Sequence, residues 1–178
     1  MDEFRYDEDK GLFVPKAKHF GIFTFEHFRK GEKIDEWQAD NTATNEGLIW
    51  LLNLGFTATV ANQNWYCGLF SNNYTPLATD TASSIVGNAG EFTGYTGGAR
   101  PAFTPAAAAQ PTPSLNNNNT KASFTFNASG TLIGSFIISS ATPNSNTGIL
   151  YAAAQFPSSK NVSNTDNILM SYALGLTP

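Results

Sequence analysis

Nucleophilic catalysis needs a nucleophile, a base to activate it and a group to orient that base. This chain of 178 residues offers few such sets. Its single cysteine, Cys67, lies in the apolar run Trp65-Tyr66-Cys67-Gly68-Leu69-Phe70, where a small buried thiol is the default. Spacing permits His27 as its base, but nothing like a nucleophile elbow surrounds either residue. His19 and His27 are too far apart along one extended segment to chelate a metal locally, and one cysteine makes no internal disulfide. A glycosidase sets two carboxyls across a cleft; beyond position 50 only Asp80, Glu91 and Asp166 are available, Glu91 being the conceivable member of such a pair. Gly87-Asn88-Ala89-Gly90 and Gly94-Tyr95-Thr96-Gly97-Gly98 lack the lysine and following helix of a phosphate loop and read as turn glycines. The expectation is a protein that is not an enzyme, with no catalytic, cofactor-binding or metal site.

Glu91 and Arg100 are the only charges between positions 81 and 120. A lone acid and a lone base in so neutral a stretch are candidates for one structural ion pair that pins a loop; the alternative is a charged contact to a partner. The imbalance is general, since 18 of the 24 charged residues fall within positions 1–50. Asp80, Glu91, Arg100, Lys121, Lys160 and Asp166 are all that remain. The long C-terminal part therefore relies on Ser, Thr, Asn and Gln. A surface of short neutral groups loses little entropy and desolvates cheaply when covered, which suits a protein packed among neighbours.

A net charge of −4 and a pI near 5.0 argue against nucleic acid as a partner. The N-terminus lacks the basic and apolar blocks of a signal peptide, and no apolar run is long enough to span a bilayer, so no membrane association is expected. The length suits a single domain, and 41% hydrophobic residues with 14 Phe can fill a core.

The elements that would position these residues are mainly strands. Residues 19–28 and 33–39 alternate around an Arg29-Lys30-Gly31-Glu32 turn, predicting a hairpin. One short helix is expected, capped by Thr44 or Asn45, continued by Leu48-Ile49-Trp50-Leu51-Leu52 and stopped by Gly55. Being apolar nearly all round, it is expected to be buried. Strands follow at 65–70, 121–127, 131–139 and 148–156, and Ile168, Met170, Tyr172, Leu174 and Leu176 share one side of a last strand. Residues 71–90 and 96–120 read as long polar surface loops, either contacting other subunits or flexible. Residues 1–18 are either a loose tail or an arm that orders on a partner, with Phe4, Arg5, Tyr6, Phe13 and Val14 as the candidate contacts.

The order of these features, Gly31-Glu32-Lys33-Ile34, Asn45–Leu52, Trp65–Phe70, Tyr74-Thr75-Pro76, Glu91 to Pro101 and the closing strands, resembles small virion structural proteins of tailed bacteriophages. The likeness is to capsid cement or decoration proteins and covers residues 19–178. It implies a jelly-roll-like antiparallel β-sandwich over 19–178, with an extended arm at 1–18. It also implies attachment to the major capsid protein on the outer surface of the capsid, assembly in the host cytoplasm, and self-association as a dimer or trimer. The rival within the same class is a tail or fibre protein with a receptor- or glycan-binding tip, in which Trp65, Tyr74 or Tyr95 would stack on sugar rings.

Overall fold

The computed structural model describes residues 4–7, 12–15, 18–57, 59–61, 63–109 and 113–177, with the backbone alone at 4–20 and 177. Strands β1 (Phe4–Asp7) and β2 (Leu12–Pro15) pair antiparallel as a two-stranded sheet of their own. β3 (Lys18–Arg29) and β4 (Glu32–Asp40) form the long hairpin expected from their alternation. Lys30 and Gly31 both have positive φ, 52° and 84°, the mirror-image turn whose twist matches that of paired strands.

Together with this hairpin, the remaining chain builds two antiparallel sheets. After the two-residue β5 (Thr42–Ala43), helix α1 (Asn45–Phe56) leads to β6 (Trp65–Phe70). A short α2 (Ala82–Ser84) runs into a π-helical turn, Ile85–Gly90. Then come β7 (Ala102–Phe103), β8 (Ser114–Asn116), β9 (Ala122–Thr125), β10 (Gly130–Ile138), β11 (Leu150–Val162) and β12 (Asn167–Thr177). The first sheet runs β4-β3-β12, with β8 and β9 pairing successive lengths of β12's other side. The second runs β5-β11-β10-β6-β7. Fold and sequence thus agree on a mainly β, antiparallel sandwich.

The main core lies between the sheets. Phe23, Phe25, Trp37, Phe124, Ile168, Met170 and Tyr172 meet Cys67, Leu69, Leu132, Ile137, Ala154 and Phe156. Phe25 stacks on Trp37 at 5.1 Å, and Phe156 presents an edge to each from the opposite sheet. Burying an aromatic side chain of this kind contributes roughly 1.5–3 kcal/mol before entropy is counted.

A second core covers the outer face of the second sheet. Phe70, Phe136, Ile138, Leu150 and Ala153 pack against Ala82, Ile85 and Ala89. Residues 71–90, expected as a surface loop, are therefore in part a covering layer. Ser71 and Asn72 donate their backbone N–H groups to Gly90 and Ala89, closing the segment on itself. Thr81 and Ser84 form a reciprocal cap at its helical start. Register makes this core possible: Gly134 lies opposite Phe70, and Gly68 opposite Phe136. Each ring lies over the facing glycine, where a Cβ would overlap it.

Four further expectations are corrected. α1 runs through Gly55 to Phe56, so Gly55 is not its stop. Nor is α1 a buried helix: Trp50 is 7% exposed, but Ile49 and Leu52 are each 58% and Phe56 86% exposed. The strand expected at 148–156 extends to Val162, and the 96–120 loop contains β7 and β8.

Candidate binding surface

The charged side chains beyond position 50 account for themselves internally. Arg100 grips Glu91 with both arms of its fork, Nε to Oε1 at 2.8 Å and an Nη to Oε2 at 2.7 Å, both side chains fully buried. The other Nη of Arg100 donates to the Ser140 carbonyl at 2.8 Å, and Glu91 accepts the Asn144 N–H at 2.6 Å. The pair thus ties residues 91–100 to the β10–β11 connection, with the guanidinium 5.4 Å from the centre of the Phe136 ring. Bidentate geometry and satisfied lone pairs are what a buried ion pair needs to offset desolvation.

Asp166, 1% exposed, accepts from both Nε and Nη2 of Arg29, from the Ser163 N–H, and bonds His27 Nε2 at 2.9 Å. The Arg29 contact holds its carboxyl well below the usual carboxylate range, against the opposing effect of burial. Asp80 accepts from the Tyr74 hydroxyl, the Leu77 N–H and the Ser84 hydroxyl, fixing the start of the covering layer. Lys121 pairs with Glu26 at 2.6 Å, and Lys160 with Asp35 at 2.8 Å while lying over the Trp37 ring.

These partners settle where each candidate stands. Asp80, Glu91 and Asp166 sit in three separate networks, so the structure brings no two of them together as a carboxylate pair. His27 bonds Asp166 and not Cys67. Cys67 is fully buried, and burial pushes its thiol far up, away from the nucleophilic thiolate. Among the described residues no group of three metal-ligating side chains forms. No helix among them is long and apolar enough to cross a membrane.

The aromatics offered for sugar stacking are turned to structural use. Tyr95 is 4% exposed and packs edge-on to Phe124. Tyr74 donates to Asp80. Trp65 is half-buried between Trp50 and Tyr151.

Among the described residues two features stand out for partner contact. One is the hairpin at the N-terminus, in register Phe4↔Pro15, Arg5↔Val14, Tyr6↔Phe13 and Asp7↔Leu12; the side chains of these candidate contacts lie outside the described residues. The other is the stripe Ile49, Leu52, Phe56 along α1, which the sequence reading placed in the core. Its signal was present in the helix's apolarity on every side, since a helix at one end of a sandwich has only one face to bury.

Comparison with protein-family models, with curated proteins and with solved structures gives no match.

Proposed function

We propose that this chain is a virion structural protein of the tailed-bacteriophage kind, a cement or decoration protein. It binds the outer surface of the major capsid protein shell and stabilises the head. The observation that carries this reading is the N-terminal hairpin, which pairs with itself and joins neither sheet of the sandwich. A two-stranded hairpin alone is marginal in water, so it gains by lying on a partner. The internally paired charges of residues 51–177 support the reading too. They leave a surface of neutral groups that is covered at low desolvation cost.

The finer fold belongs to the same proposal. The chain passes between sheets from β4 to β5, β7 to β8, β9 to β10 and β11 to β12, a wrapping compatible with a jelly-roll-like sandwich over residues 19–178. Self-association as a dimer or trimer would multiply weak contacts across a repeating shell. In this reading Glu91 and Arg100 are structural, and function is binding without catalysis.

The test is removal of residues 1–17 followed by sedimentation with purified capsid shells. The truncated chain is expected to keep its unfolding midpoint and lose co-sedimentation. Unchanged shell affinity would take the arm out of the mechanism.

A further inference from the structure

At one end of the sandwich the sheets part around a cavity of about 540 Å³. It falls in the roughly 300–1,000 Å³ range of sites that hold drug-sized molecules. Its walls are aromatic: Trp65 and Tyr66 from β6, Phe103 from β7, Tyr151 from β11 and Tyr172 from β12, with Trp50 of α1. Leu115 of β8 and Leu174 of β12, cross-strand partners, close the side belonging to the first sheet. Among the described residues no acidic or basic side chain lines the space.

The polar atoms of Trp50 and Tyr172 are already engaged, and the other polar side chains of the lining, which include Tyr66, Gln63, Asn64 and Thr104, are neutral. Trp50 Nε1 donates to the Ala61 carbonyl at 3.2 Å, and the Tyr172 hydroxyl accepts from Asn41 at 3.0 Å. Burial raises the Tyr151 hydroxyl to a pKa of about 12, so it brings no charge. A charged occupant would be stranded without a counter-charge among the described lining residues, and the aromatic and aliphatic majority of that lining favours an apolar occupant over a sugar.

Helix α1 roofs the cavity with Trp50, Leu51 and Leu54. Its N-terminal end is fixed to the second sheet. Thr44 donates its backbone N–H to Tyr151 O at 3.0 Å, the Thr44 hydroxyl donates to Leu150 O, and Glu46 accepts the Leu150 N–H at 2.9 Å. The other end carries the exposed Leu52 and Phe56.

From this geometry we infer that the cavity is a binding site for an uncharged apolar small molecule, an aliphatic chain or fused aromatic ring, held under α1. The inference is independent of the proposed virion role.

The probe is neutral N-phenylnaphthylamine, titrated into the full chain and excited through the tryptophans beside the cavity. Saturable emission at one probe per chain, displaced by decanol, is the expected result. Leu115→Trp and Leu174→Trp fill the space from neighbouring strands, and whichever folds is expected to weaken binding about tenfold or more. The triple change Ile49→Ser, Leu52→Ser, Phe56→Ser strips the outer stripe and should leave binding intact. Decanol should also raise the unfolding midpoint of the unaltered chain and of the triple variant, which decides the matter if neither filled variant folds. Absence of saturable binding overturns the site. So does binding that survives filling, or binding lost with the outer stripe.

Discussion

The first 50 residues and the rest of the chain handle charge in opposite ways. Beyond position 50 there are six charged side chains, and all six are held by hydrogen bonds or ion pairs within the molecule. Before it, the β3–β4 hairpin lends Glu26, Arg29 and Asp35 to those same networks but leaves Lys30, Glu32 and Asp40 exposed with no ion-pair partner among the described residues. The neutral region therefore uses charge as internal fastening, while the N-terminal region keeps some for its surface. That difference teaches where long-range attraction and salt sensitivity should reside when the protein meets a partner.

The comparison is broken most severely at its best-fastened point. Glu91→Gln leaves the Arg100 guanidinium buried without a counter-charge, and is expected to cost about 3–5 kcal/mol in denaturant unfolding. Adding Arg100→Met should recover a large part of that loss, because an apolar replacement removes the stranded charge.

Asp166→Asn comes next, at about 2–4 kcal/mol near neutral pH. Its carboxyl titrates lower in the folded chain than the ordinary value of about 3.9. The stabilisation it gives is therefore complete above about pH 4 and is lost as pH falls through the depressed folded value. Unfolding curves for the variant and the unaltered chain should converge on acidification below about pH 4.

The second core gives a third test. Gly134→Val drives a branched side chain into the Phe70 ring and is expected to cost about 1–3 kcal/mol or more. The smallest effect belongs to the partly exposed pair Lys121–Glu26: Lys121→Met should change stability by no more than about 1 kcal/mol.

Much of the fold was legible because strands announce themselves by alternation. Phe23, Phe25, Phe124, Ile168 and Met170 all reach the core as their spacing implies. The Glu91–Arg100 contact was readable because no other charge competes nearby. The Asp166 network was not, since His27 stands 139 positions away and only the β3–β12 pairing brings the two together. The covering layer escaped for another reason. Ala82, Ile85 and Ala89 are mostly small residues in a polar stretch, and they become a core only over the ring-on-glycine surface of Phe70 and Phe136. Helix α1 misled in the opposite direction, its exposed face being as apolar as its covered one.

Whether the chain is a shell component is tested most directly by its copy number in purified virions, measured by quantitative mass spectrometry against the most abundant shell protein. The cement reading predicts hundreds of copies per particle, in proportion to the shell. A few copies to a few tens would contradict it and place the chain in the tail or collar.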